Sequence, residues 1–359
     1  VASKSGVIIA KGNGTTKMLV KYAGRTARVH VTVSNFETRK PIDFRTEAIG
    51  ALSRGGCNSG ACHGSPNGKN GFRLSLRGFD PDVDYQQLTR DLFGRRVNSG
   101  EPDASLMLLK ASGGVAHQGG LRFKKHEVAF QTLRQWIAEG CLDSVPKPMT
   151  RLEVLPERRV LHTQHRTQQI VVRAHFADGS QQDVTDLSVF TSANDELASV
   201  TRSGFVEFHE TAEVAILVRF LDRIETVRLT WIRHDPSFRF PKTPENNFVD
   251  KHVFEKQKTL QLVPAKLVND AVFLRRVHLD LIGALPTPQQ AVEFLDSKDA
   301  QKREKLVDRL LERDEYAEFW AMKWADVMRG NRETISERGV HNFHRYLKTV
   351  LREDRPFDQ

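Results

Sequence analysis

Apolar and polar positions alternate through residues 1–35. Met18, Val20 and Tyr22 fall on one side, then Ala27, Val29, Val31 and Val33. A period of two puts every second side chain on one face, so this segment predicts half-buried strands, interrupted at Gly12-Asn13-Gly14 and at Gly24. Residues 150–234 read the same way. Val171, Arg173 and His175 lead into Ala177-Asp178-Gly179-Ser180, a turn signal, and then Asp183-Val184-Thr185. The two regions align without a gap: Ser5-Gly6-Val7-Ile8 with Ser203-Gly204-Phe205-Val206, Met18–Tyr22 with Ile216–Phe220, and Val29–Thr32 with Val227–Thr230. A repeated strand pattern predicts two copies of one small β-sandwich, the first cut short at its N-terminal side.

Elsewhere the spacing turns helical. Val128, Leu133, Trp136 and Ile137 share a helix face that ends at Gly140, and Asp103–Ala111 predicts a short helix with Asp103 as its N-cap. After a proline-bearing linker at 238–244, helices follow to the end of the chain. Two are split by Gly283 and the Pro286/Pro288 pair, and more carry Leu306, Leu310, Leu311, Phe319, Trp320 and Trp324 on buried-type faces. The predicted fold class is therefore multidomain. All-β sandwich material occupies 1–36 and 150–234, a small glycine-rich α-helical domain occupies 41–148, and an all-α domain occupies 241–359.

Composition narrows the class. Hydrophobic residues make up 39% and charged residues 28% of the 359 positions, as in soluble globular chains. No apolar run reaches the ~20 residues of a membrane-spanning helix. The formal charge is +9, which could favour nucleic acid, anionic lipid or an acidic partner. The basic residues are dispersed, however, and Arg275-Arg276 and Lys302-Arg303 lie among acids on helical patterns. They read as a solvated surface, with no nucleic-acid partner. The chain opens inside a strand pattern and stops after a helical one, so it reads as a fragment.

Two of the three cysteines stand in one short stretch, "CNSGACHG" from Cys57 to Gly64, with His63 directly after Cys62. Three chemistries suit it. Two thiols a short loop apart can bond the two vinyl groups of haem while the adjoining histidine binds its iron. Four residues separate these cysteines where two are usual, and Ser59-Gly60-Ala61 is small enough to bulge. Gly64 would allow the backbone close to the macrocycle. Alternatively, Cys57, Cys62 and His63 could bind zinc with Cys141, His117 or His126, although adjacent side chains rarely converge on one tetrahedral ion. The third possibility is a disulfide or a pair of inert thiols.

The surrounding segments carry a resemblance. "CNSGACHGSPNGKNGFRLSLRGFDP", "RRVNSGEPDASLMLLKASGGVAHQGGLRF" and "LRQWIAEG" occur in the order seen in the planctomycete-type cytochrome c domain, which 41–148 resembles. "FADGSQQDVTD" and "ASVTRSGFV" resemble bacterial Ig-like domains of group 2. "VHLDLIGALPT" and "FWAMKWADVMRGNRET" look like the helical domain of unknown function that accompanies this cytochrome. The resemblance implies one covalent haem c, held by Cys57 and Cys62 with iron on His63.

Many members of that family supply a methionine in a loop after the "SLL" helix, and the equivalent stretch here, "GGVAHQGGLRF", offers His117 instead. Met107 competes from a helix face where methionine usually packs a core, and His126 competes from the start of a helix. Two imidazoles would favour ferric iron and a low potential. Arg73, Arg77, Arg95, Arg96 and Arg122 surround the segment as candidates to pair with haem propionates. Phe72, Leu74, Leu76, Phe79 and Leu92 are expected to line the pocket or the adjoining core. Cys141 reads as a buried thiol, and His278, Asp280, His341 and His344 as structural or surface residues.

The leading expectation is an exported electron-transfer module, in the periplasm or at the cell surface, with haem c as cofactor, His63 and His117 as iron ligands, and a redox partner protein. The haem domain is expected to carry electrons rather than to catalyse. The competing expectation is a non-redox adhesive or scaffold protein stapled at its Cys-His segment by zinc or a disulfide.

Overall fold

The computed structural model describes residues 8–22, 24–38, 40–233 and 235–356. The chain is multidomain, with β-sheets toward its N-terminus and helices at its C-terminus. It divides into two compact units, Val1–Leu262 and Val263–Gln359.

The first unit opens with a hairpin of β1 (Gly14–Tyr22) and β2 (Arg25–Val33). Helices α1 (Ile49–Arg54), α2 (Pro81–Thr89), α3 (Leu106–Ala111) and α4 (Val128–Ala138) follow, joined by long turn-rich stretches. Ten strands come next: β3 (Met149–Leu155), β4 (Arg158–His162), β5 (Thr167–Gln169), β6 (Val171–Phe176), β7 (Gln181–Asp183), β8 (Val189–Ser192), β9 (Ala198–Val200), β10 (Phe205–Phe208), β11 (Ala212–Phe220) and β12 (Arg223–Ile232). They form sheets ordered β3-β6-β7, β5-β10-β9 and β4-β12-β11-β8, antiparallel except for β4 beside β12. Alternate residues of β6 and β11 are buried, as a sandwich with one wet face requires. Helix α5 (Phe248–Leu260) carries an Asn247/Asp250 capping box and is tied to β11 by the Lys256–Glu213 ion pair.

The repeat read from the sequence recurs in the hydrogen bonding. Met18 pairs with Val29 in the first hairpin, and Ile216 pairs with Val227 in the second. Both first strands are nine residues long. Ser5, Gly6 and Val7 of the alignment lie outside the described residues. The hairpins differ in cover. Ile216, Val218 and Val227 are fully buried, whereas Val20 and Val29 are 48% and 43% exposed.

Helical segment and sandwich share one core. Phe44, Leu88, Leu133, Trp136 and Ile137 belong to the same buried cluster as Ile170, Val172, Val206 and Phe220. A Cβ on Gly50 of α1 would stand 2.9 Å from Cε2 of Phe220, so α1 approaches β11 by its backbone. Arg54 donates to the Ser188 carbonyl at 3.0 Å and Gln182 donates to Glu47 at 2.9 Å across the same seam.

One local expectation is corrected. Asp103 does not cap the helix; a short turn spans Pro102–Ala104 and Ser105 is the N-cap of α3. Asp103 instead pairs with Arg134 of α4, whose Nε lies 3.0 and 2.9 Å from its two carboxylate oxygens. A bidentate partner satisfies a carboxylate more fully than one backbone N–H.

The second unit consists of α6 (Asp270–Ile282), α7 (Pro288–Asp296), α8 (Lys302–Leu311), α9 (Asp314–Val327) and α10 (Arg332–Arg352). Leu274, Ile282, Phe294, Leu306 and Leu310 form its core. Gly283 ends α6 at φ +67°, and a Cβ there would meet the Phe319 ring at 2.5 Å. Position 283 therefore needs glycine for both backbone and space. No described helix is long and apolar enough to cross a membrane.

Two outcomes are expected. Trp136→Ala should cost roughly 3–5 kcal/mol, and helical segment and sandwich should still melt in a single transition because the cluster is continuous; two separate transitions would contradict this. Asp84 is fully buried, and burial pushes its pKa up to about 6 although two bonds to Ser75 oppose the shift. A carboxyl with a raised native pKa stabilises most when protonated in both states. Its contribution is complete below the unfolded value and is lost as pH rises through about 6. The melting-temperature gain of Asp84→Asn over the parent should therefore grow from pH 4 to pH 7, and parallel pH profiles would refute the assignment.

Candidate functional site

The Cys57–Gly64 stretch leaves α1 at Gly55 and folds back on itself. Cys57 N donates to Leu52 O at 2.9 Å, Cys62 N to Ser59 O at 3.0 Å, His63 N to Cys57 O at 3.0 Å and Gly64 N to Ser59 O at 2.9 Å. Asn58 is buried and its amide donates to Ser53 Oγ at 2.9 Å. Arg77 N donates to Asn58 O and Leu74 N to His63 O, both at 2.8 Å, which stitches the next segment to the loop. The loop's own backbone leaves no room for a side chain at position 64. A Cβ on it would stand 2.1 Å from the Asn58 carbonyl oxygen.

This closure fixes His63. Its Nδ1 lies 3.0 Å from the Phe72 carbonyl, and its ring centroid lies 4.5 Å from that of Phe72. A carbonyl only accepts, so Nδ1 carries the hydrogen and Nε2 keeps its lone pair. Burial lowers the His63 pKa, and the nearby His117, Arg96 and Arg122 push the same way against the Phe72 bond. The imidazole is thereby held neutral and able to ligate.

His117 has the same local arrangement. Its Nδ1 sits 3.0 Å from Gly120 O while Gly120 N donates to His117 O at 2.9 Å. The His63 and His117 rings are nearly parallel, at 10°, with centroids 6.4 Å apart. The structure thus brings together two histidines 54 positions apart in sequence (117 − 63), each with Nδ1 engaged and Nε2 available.

The thiols differ. Cys57 lies in surroundings apolar enough to push its pKa up to about 12, burial outweighing the opposing charge of Arg122. Cys62 accepts from Arg122 Nη2 at 3.4 Å. Cys57, Cys62 and Cys141 are all free thiols. Among the described residues no three His, Cys, Asp or Glu side chains cluster to hold a metal.

Met107 packs against the core and His126 is exposed. Cys141 is buried, and burial pushes its pKa up to about 11. Of the apolar candidates, Leu74 is core and Phe72 is half-buried, but Leu76, Phe79 and Leu92 are exposed. Arg73, Arg77 and Arg95 are exposed too. Arg96 is 4% exposed, the most buried of these arginines. It donates to Gln87 O and Gly71 O, pairs with Asp91 at 2.9 Å and stacks 4.4 Å over the Phe72 ring. That stack braces the ring that flanks His63.

Outside this segment lies a match to known proteins. Residues 248–359 match the family PSCyt2, described as a protein of unknown function (DUF1549). The PSCyt2 match begins at the first residue of α5 and runs through the helical unit. No curated protein matches the chain. In the PSCyt2 region His278 is buried, with Nδ1 3.0 Å from Leu274 O within α6, as expected of a structural histidine.

Gly64→Ala should destabilise the first unit by about 1–3 kcal/mol through overpacking against fixed backbone. Gly60→Ala should be nearly silent, because its Cβ would meet only Leu76 Cδ1 at 3.9 Å. Thermal melts of the two variants check this, and equal losses would contradict the loop geometry.

Proposed function

We propose that residues 41–148 form a c-type cytochrome domain of an exported electron-transfer protein, beside an Ig-like sandwich of the bacterial group 2 kind. The observation that carries this reading is the spacing of the His63 and His117 rings beside a thiol pair. An imidazole nitrogen binds a first-row metal at about 2 Å, and with a ring radius of about 1 Å on each side, two rings sharing one ion stand roughly 6 Å apart. The observed centroid separation of 6.4 Å matches that spacing.

On this reading Cys57 and Cys62 hold haem c through thioether bonds, and His63 and His117 ligate its iron through Nε2. Bound there, the group supplies a one-electron ferric–ferrous couple. The Phe72 and Gly120 carbonyls orient the two rings and fix their tautomers. With His63 and His117 both committed to the iron, the site would suit electron exchange and not substrate binding. The partner is another exported one-electron carrier. Covalent haem is attached outside the cytoplasm, so this reading implies a protein of the periplasm or the cell surface. The PSCyt2 match supports the reading, since that helical domain accompanies the cytochrome domain in the resemblance.

The test is to produce the chain in a host that exports it and attaches haem. Expected are a denatured band that stains for haem peroxidase, a mass one haem above the polypeptide, and a low-spin spectrum without the long-wavelength band of a methionine–iron bond. His117→Met should introduce that band and raise the potential. A properly exported chain of bare polypeptide mass would refute the proposal and favour the stapled scaffold.

A further inference from the structure

Arg122 differs from every other arginine near the site. Its backbone is pinned from two sides: Arg122 N donates to Ala111 O at 2.7 Å, at the end of α3, and Arg202 Nη1 of the sandwich donates to Arg122 O at 3.0 Å. Its Nη2 reaches Cys62 Sγ at 3.4 Å, and its Nη1 would stand 3.8 Å from a Cβ on Gly56. A Cβ on Gly119 would stand 2.8 Å from His117 Cε1 and 3.4 Å from Arg122 Nη2. The missing side chain at Gly119 is what leaves room for guanidinium beside imidazole.

The Nε of Arg122 is buried and has no hydrogen-bond partner. Among the described residues no carboxylate pairs with this guanidinium, whereas the charge of Arg96 is met by Asp91 at 2.9 Å. A buried donor left unpaired is costly, and this half-buried cation has no described carboxylate beside it. Their position between the thiols and His117 points to a role in the site.

We propose that Arg122 is a positioning charge that raises the reduction potential of the haem site, offsetting part of the low potential that two imidazole ligands impose. This rests on the haem reading above. A fixed positive charge near the iron disfavours the ferric form, which carries one more positive charge than the ferrous. Because Arg202 holds the Arg122 carbonyl, the sandwich takes part in placing that charge.

The test uses the exported, haem-loaded chain with Arg122→Gln and Arg122→Lys, each followed by intact mass, absorption spectrum and potentiometric titration. Arg122→Gln should keep the low-spin spectrum and lower the midpoint by about 59 mV, a tenfold shift in the one-electron equilibrium. Arg122→Lys, which retains the charge, should stay near the parent. Arg122→Met replaces Arg122→Gln if the latter fails to fold. A loaded neutral variant with parental spectrum and parental potential overturns this inference alone. A parent chain of bare mass overturns the haem reading and this inference with it.

Discussion

The Cys57–Gly64 loop closes on its own backbone, and the site depends on that closure. The N–H groups of Cys57, Ser59, Cys62, His63 and Gly64 find carbonyls inside the loop or on Leu52 and Gly56 just before it, so its shape does not rely on long side chains. The Gly64 contact with the Asn58 carbonyl leaves no room for a wider path. His63 is the last side chain before this pinch. Its orientation therefore follows from the loop backbone and from one carbonyl, that of Phe72. Arg96 then holds Phe72 in place through a network of backbone carbonyls and Asp91.

The second constraint is the seam between the helical segment and the sandwich. Gly50 lets α1 lie against Phe220, and a continuous cluster runs from Trp136 through to the strands. The β-sheets help hold this unit together, because Arg54, Glu47 and Arg122 all bond to them. The first hairpin has the same register as β11–β12 without the same cover. Identical pairing with different burial shows that register comes from the strand pattern itself, while burial comes from what lies opposite.

Much of the architecture was legible along the chain. The period-two stretches became strands, and the Gly283 break became a left-handed helix end. The 198-residue offset between hairpins (216 − 18) survived as an equality of registers. The nearness of His117 to His63 is suggested by glycine density around His117 and by resemblance, while spacing alone leaves Met107 and His126 open. The partners of Arg96 and Asp103 are not legible along the chain, for a common reason. Their partners, Asp91 with backbone carbonyls and Arg134, are chosen by turns and helix packing that no local pattern encodes.

By itself, the sequence determined where strands and helices lie, the repeat, and the closeness of two thiols to a histidine, because each follows from neighbours within a few positions. Only the tertiary structure decided that His117 stands parallel to His63, that Gly64 serves the loop carbonyl, and that no described carboxylate pairs with Arg122. Those facts depend on which distant backbone atoms occupy the remaining space and accept the remaining hydrogen bonds, and close packing of the shared core fixes both.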